Sequence, residues 1–427
     1  MDARPATRRL VAPRGPGGAA PVGVPEGQRE VGVGVRVPFL IIGGGIGGMT
    51  AGLCLARAGF DVHVVEQAPE FGELGAGIQL APNALRVLTA LDLGPDLAAV
   101  AVYPRNLVFL HADTGRRLTT VDLGDAFRAR YGQPYTVLHR GDLLDILLAA
   151  CRAHERVTLE SGREVVEVRD AEGESATVRF ADGETYACEA VIGADGLWSR
   201  TRALVADDAP LCSGYVAYRG TVPAGDLPDS VRPDDELVWI GPGKHLVRYP
   251  IRRGELHNQV AVFRSRRYRP EIAASDDWGT ADELREHFAE GTEQVRAAVA
   301  LLGTHRRWPM YDRAPIDNWT TGRVTLLGDA AHPMLQYLAQ GACQAIEDAE
   351  CLARHLAAHD GKAPAAFAAY QAERIPRTAT VQRLARAWGE VWHDDGPVIP
   401  ALRDRLFARR APDDYTDLDW LYQRPTR

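Results

Sequence analysis

The chain of 427 residues has six cysteines, and none of them forms a C-x-x-C pair. Cys54, Cys151, Cys188, Cys212, Cys343 and Cys351 are scattered, which argues against a zinc ribbon or a thioredoxin-like motif. No metal site is expected, and reduced thiols of this kind suit a cytoplasmic protein. A basic excess is also missing: 49 Lys and Arg stand against 57 Asp and Glu, with no Lys/Arg-rich block. Nucleic acid is therefore not an expected partner. No apolar run approaches the roughly 18 residues that span a bilayer, so no membrane association is expected. Residues 1–36 lack a periodic apolar face; rich in Pro, Gly, Val and Arg, they are expected to be disordered. Arg8-Arg9 is not followed by an apolar segment, which argues against a twin-arginine export signal.

What is present begins with Val37-Pro38-Phe39-Leu40-Ile41-Ile42, a continuous apolar run of the kind found in strands buried on both faces. Gly43-Gly44-Gly45-Ile46-Gly47-Gly48 follows at once. Residues 49–58 then read as a helix closed by Gly59, and residues 61–66 as a second strand. In this βαβ setting Gly43, Gly45 and Gly48 permit a tight turn, close approach of backbone to a pyrophosphate, and close helix–strand packing. Ile46 and Gly47 belong to the same turn, and the helix N-terminus favours phosphate. Glu66 lies 18 residues after Gly48, at a strand end where a carboxylate can accept hydrogen bonds from ribose hydroxyls, with Gln67 beside it.

Two further stretches give this turn its meaning. They are Gly193-Ala194-Asp195-Gly196-Leu197-Trp198-Ser199, with Arg202 after it, and Gly328-Asp329-Ala330-Ala331-His332-Pro333. With the first they resemble the signature of single-component flavoprotein aromatic hydroxylases, and residues 37–421 resemble the salicylate hydroxylase-like members of that family. The resemblance implies an α/β fold: a Rossmann-like FAD-binding domain of the p-hydroxybenzoate hydroxylase type, interleaved with an antiparallel-sheet substrate domain and followed by a helical C-terminal region. The expected parts are 37–110, 140–204 and 314–360 for the FAD domain, 111–139 for a sheet excursion to the substrate side, 205–313 for the substrate sheet, and 361–427 for the helical region. FAD is the implied cofactor and NADH the implied co-substrate, with NADPH left open. The same resemblance places Arg140 near the ribityl–phosphate chain, Asp195 and Gly196 at FAD and the nicotinamide donor, and Asp329, after Gly328, on the ribityl hydroxyls. Gly77, in Gly75-Ala76-Gly77-Ile78, joins this set. Gly341 and Ala342 open a helix suited to negative charge on the reduced flavin.

Tyr215-Val216-Ala217-Tyr218-Arg219-Gly220, Trp308-Pro309-Met310-Tyr311-Asp312-Arg313 and above all Leu335-Gln336-Tyr337-Leu338 are similar to the subgroup acting on 3-hydroxybenzoate. The broad family usually has Pro where Gln336 stands, Gly at Ala339 and often Asn at Cys343; these departures weaken a generic salicylate assignment more than the flavin chemistry. The resemblance carries three residues into a substrate pocket: His245, Tyr249 and Gln336. The first two are four apart on a predicted strand and so share a face. It implies that FAD, reduced by NADH, meets dioxygen to form a C4a-hydroperoxide that attacks para to the phenolate of a small aromatic acid. A phenol of pKa about 10 is ionised in only about one molecule in a thousand at neutral pH, and lowering that pKa by about three units is worth roughly 4 kcal/mol. His245, with Gln336, is expected to bind the hydroxyl and assist its ionisation, and Tyr249 to orient the ring. The alternative on the same scaffold is a salicylate 1-hydroxylase or a hydroxylase of another aromatic or N-heterocycle; outside it stand an oxygen-independent flavin reductase and a non-catalytic FAD or effector binder. Trp388, Trp392 and Trp420 suit a homodimer contact and intramolecular packing equally.

Overall fold

The computed structural model describes residues 35–72, 76–170, 175–227 and 234–423. Of the segment expected to be disordered, residues 1–34 lie outside that range. Val35 and Arg36 do not belong to it: they open the first strand, Val35–Ile42, and pair with Tyr186 and Ala187. This strand lies parallel between Val62–Glu66 and Thr185–Gly193, which are flanked in turn by Val157–Ser161 and Val324–Leu326. Leu40, Ile41, Val64, Val191 and Ile192 are fully buried, as near-continuous apolar runs require in a sheet covered on both faces. Among its covering elements, helix Ile46–Arg57 is packed against helix Gly341–Ala358, which the long helix Ala363–His393 crosses in turn.

The tight turn into the first helix is made by glycine. Gly43 has φ 112°, and a Cβ on Gly48 would fall 1.9 Å from the Gly43 carbonyl oxygen. The parallel strands all end on this side, where open α/β sheets bind their ligands.

A second, seven-stranded sheet runs in the order Trp308–Asp312, Leu211–Pro223, Leu256–Arg264, Lys244–Ile251, Glu236–Gly241, Asn106–His111 and Arg117–Asp122. All its pairings are antiparallel except that of Glu236–Gly241 with Asn106–His111. The chain thus enters this sheet at residue 106 and not at 111. Within the expected excursion, Thr136–His139 pairs instead with Gly77–Leu80 as a separate ribbon. Period-two alternation gives the large sheet two apolar faces. Trp239, Leu246, Ala261 and Phe263 face helices Ala281–Phe288 and Glu293–Ala300. Val238, Ile240, Val262 and Phe109 face the other way, toward Tyr337, Trp392 and Phe407.

The C-terminal aromatics largely pack within the chain. Trp392 is buried against Phe109 and His245, Trp388 lies against Phe407, and of the three tryptophans only Trp420 is exposed. All six cysteines are free, and among the described residues no helix is long and apolar enough to cross a membrane.

Gly48→Ala is expected to destabilise the fold by about 1–3 kcal/mol or more, because the new Cβ meets rigid backbone. A Cβ on Gly45 meets nothing within 4 Å, and Gly45→Ala is expected to change stability by less than about 0.5 kcal/mol. Urea melts of the two variants compare them directly; equal losses would contradict the close approach described.

Candidate active site

Between the ends of the parallel strands and one face of the second sheet lies a cavity of about 1210 Å³. A single small ligand takes about 300–1,000 Å³, so there is room for a long cofactor and a second small molecule. Thirteen of the residues singled out from sequence line it: Gly45, Ile46, Gly47, Gly77, Arg140, Gly196, Gly328, Asp329, Gly341 and Ala342, with His245, Tyr249 and Gln336. Gly43, Gly48, Glu66, Gln67 and Asp195 do not.

Two of these absences have a clear physical reason. The Glu66 carboxylate accepts from the Gly44 amide at 2.9 Å and the Ala68 amide at 2.8 Å, so it braces the glycine turn. Asp195 turns into its own loop, accepting from Ser199 Oγ at 2.6 Å, the Arg200 amide at 2.9 Å, and both the amide and hydroxyl of Thr201 at 3.1 Å. Asp195 thus shapes its own loop, and Gly196 beside it lines the cavity. Gln67 is exposed, and Gly43 and Gly48 act through backbone packing behind the turn.

The remaining cofactor set fits a dinucleotide. The open space beside Gly45 admits a phosphate where a side chain would intrude. The first-turn amides of helix Ile46–Arg57 have no intrahelical partners. Arg140, at the start of helix Arg140–Ala153, is fixed by its amide, which donates to Ala76 at 3.0 Å. Asp329 is exposed to the cavity; the protein packed around it raises its carboxyl above the usual range, while His332 and Arg140 pull it back. Gly77 is held between the two lobes: its amide donates to Asn258 Oδ1 at 2.7 Å, and a Cβ there would meet Tyr249 at 2.5 Å.

The substrate side is a patterned sheet face. Val238, Val247 and Val260 are cross-strand neighbours, and the row ends at Arg219. His245 and Tyr249 stand two residues to either side of Val247, each about 7 Å along the strand. The face is thus apolar in the middle with polar groups at its corners. His245 is 1% exposed. Its Nδ1 lies 2.8 Å from His393 Nε2, and its Nε2 lies 3.3 Å from the Gln336 amide nitrogen. Burial, reinforced by His393, holds the His245 imidazole well below its ordinary pKa; burial and then Arg403 bring His393 down to about 3. Both rings are neutral at neutral pH. At the other end Glu236, hydrogen-bonded by Gln79, is pushed by burial up to about 8, and together with burial it raises the Tyr249 hydroxyl far above its ordinary value.

Sequence reasoning missed Arg219, Glu236 and His393. The first two were within reach, because strand alternation turns both toward the cavity face. No local signal marks His393, which is 148 residues from His245 and meets it only through the fold. No metal site was expected. Cys351, His355 and Glu373 do converge, yet Arg354 donates to Cys351 Sγ at 3.3 Å and to Glu373 at 2.6 Å, placing a cation in the cluster.

The FAD binding domain family matches residues 36–385. A relative from Polaromonas naphthalenivorans named 3-hydroxybenzoate 6-hydroxylase is 41% identical, over 90% of this chain and 96% of its own length. A Streptomyces cremeus relative named 3-amino-4-hydroxybenzoate 2-monooxygenase is 39% identical, over 91% and 95%. A salicylate hydroxylase solved with substrate superposes with a TM-score of 0.73 at 26% identity, covering 88% of this chain and 92% of that one.

Glu236 gives a pH test. Its carboxyl titrates near 4.5 unfolded and about 8 folded. The fold therefore favours the protonated form, and stability is lost as pH rises across that window. Glu236→Gln removes the titration, so thermal midpoints at pH 5 and pH 8.5 should show a smaller fall for the variant. A parallel fall in both proteins would refute the buried, neutral carboxyl.

Proposed function

The chain belongs to the FAD binding domain family of flavoprotein aromatic monooxygenases, and from that premise we propose that it hydroxylates 3-hydroxybenzoate para to the hydroxyl, giving 2,5-dihydroxybenzoate (gentisate) with NADH and dioxygen. One observation carries the reading: a buried neutral imidazole, His245, reaches a benzoate-sized apolar floor with the Gln336 amide on one side and the Arg219 guanidinium across the sheet. FAD, when bound, supplies an electrophilic oxygen drawn from dioxygen and paid for by the nicotinamide.

This chain's residues do the rest. The three valines receive the ring face. Arg219 meets the carboxylate, for which a guanidinium is the natural partner. The phenolic hydroxyl donates to His245 Nε2, and the Gln336 amide turns from that nitrogen to donate to the phenolic oxygen. His245 takes the proton, and the resulting phenolate raises electron density at the para carbon. Tyr249, un-ionised, limits how the ring can tilt. Arg140, Asp329 and the first turn of helix Gly341–Ala358 would hold the flavin, the helix N-terminus favouring negative charge there. Leu402 and Leu406, 51% and 69% exposed on helix Ile399–Arg409, support a homodimer contact; sedimentation gives the mass.

The product decides the activity: gentisate without carbon dioxide, its new oxygen labelled from ¹⁸O₂, is expected, whereas catechol with carbon dioxide would mean a salicylate hydroxylase. His245→Ala is expected to lower coupled turnover by about 10²–10⁴-fold, with more peroxide released and FAD retained. Coupled turnover equal to wild type would remove His245 from the reaction.

A further inference from the structure

His245 can act as a base only if its Nε2 bears a lone pair toward the substrate, and nothing on its own strand fixes that. A neutral imidazole has one N–H and one acceptor nitrogen, and the partner of one nitrogen sets the state of the other. The partner of Nδ1 is His393 Nε2 at 2.8 Å. His393 ends the long helix Ala363–His393, and its carbonyl accepts from the Gly243 amide, which ties it to the turn before His245. Its ring lies edge to edge and nearly coplanar with His245, centroids 5.0 Å apart at 19°, and stacks on Tyr215 at 4.7 Å and 22°. It is 4% exposed.

We propose that His393 is the positioning residue that makes His245 a base. Its Nε2 accepts the Nδ1–H of His245 and so leaves His245 Nε2 as the acceptor facing the substrate hydroxyl. The Gln336 amide, donating to that same Nε2, demands the same tautomer. In the reaction one O–H bond breaks and one Nε2–H bond forms, giving a phenolate beside an imidazolium. The imidazolium then shares its Nδ1 proton with His393, which spreads the charge over two hydrogen-bonded rings. The opposite tautomer, with His393 donating, would put a proton on His245 Nε2 and close it to the substrate. The other groups facing the pair are Tyr215, Tyr337, Trp392, Gln336 and the Arg403 guanidinium, whose Nη1 donates to the Trp392 carbonyl. Burial raises both tyrosine hydroxyls, so neither ionises where a phenol bound to His245 would titrate.

The inference rests on the reading of His245 given above, and the test separates the two. His393→Phe keeps a stacking ring and removes the acceptor. His393→Gln places a carbonyl oxygen near the former Nε2 and keeps the acceptor without a protonatable ring. The FAD-loaded proteins are titrated with 3-hydroxybenzoate from pH 6 to pH 9, and the phenolate is read from its ultraviolet difference spectrum; kcat and KM are measured alongside. His393→Phe is expected to raise the apparent pKa of the bound hydroxyl by about one unit or more, tenfold less phenolate at a given pH. It should lower kcat by a similar factor while FAD content and KM stay near wild type, and His393→Gln should recover most of both losses. Wild-type ionisation in His393→Phe, or equal losses in both variants, would overturn the proposal. His245→Ala is the third arm. If it ionises the ligand as wild type does, the reading of His245 falls and takes the proposal with it; if only His245→Ala fails, the proposal alone is lost.

Discussion

A single buried carboxylate holds the cofactor and substrate halves of the site in register. Asp348, with no exposed side-chain surface, accepts from the Gly328 amide at 3.0 Å and from Arg374 Nε at 2.6 Å, and lies 2.5 Å from His332 Nε2. Burial alone would raise its carboxyl; His332 and Arg374 outweigh that and hold it at about 2. The segment it anchors begins at Gly328, where φ is 63°, and carries Asp329 at its start and Gln336 further on. One anchor therefore sets both the residue that faces the cofactor and the one that reaches His245. Arg374 also pairs with Glu347 at 2.5 Å, and Glu347 accepts from Asn83 at 2.6 Å. A buried network of this kind adds little net stability over an apolar one, but removing one partner costs about 3–5 kcal/mol. Its value here is geometric.

The chemistry at His245 follows from how little charge its immediate neighbours and the floor beneath it carry before substrate arrives. His245 and His393 are kept neutral, Glu236 is kept protonated below about pH 8, and the floor is valine. An imidazole so buried is a poor base toward solvent. Beside a phenol it is a better one, because phenolate and imidazolium form as adjacent opposite charges and attract strongly where water is scarce. Proton transfer is thereby tied to occupancy by the right ligand. The same desolvation keeps Tyr249 and Tyr337 un-ionised, so they shape the pocket without competing for the proton.

Much of this was legible in the chain. The apolar run before Gly43 and the glycine turn located the first sheet, and the four-residue spacing of His245 and Tyr249 put both on one strand face, because buried strands must be apolar and half-buried strands must alternate. His245 and Tyr249 share a cavity-facing surface for that reason. What the chain does not display on its own is set by local hydrogen bonding or by distant contacts. Asp195 has Ser199 and Thr201 within six residues, and short polar side chains so placed capture a carboxylate for the loop itself. Glu66 accepts from the amide of Gly44 and so also braces the turn. Arg219 stood within a motif already singled out; alternation gives its face, and the register Arg219–Val260–Val247 sets it beside the floor. His393 depends on a helix returning across the sheet, which periodicity cannot foretell.

The central claim is that the substrate hydroxyl, and not its carboxylate, meets His245. A crystal structure of the FAD-loaded protein with 3-hydroxybenzoate tests it most directly. The account predicts the phenolic oxygen about 2.6–3.0 Å from His245 Nε2 and in reach of the Gln336 amide, with the carboxylate turned to Arg219 and the ring over Val247 and Val260. A reversed ring, with its carboxylate on His245, or a ligand bound away from the valine floor, would contradict it.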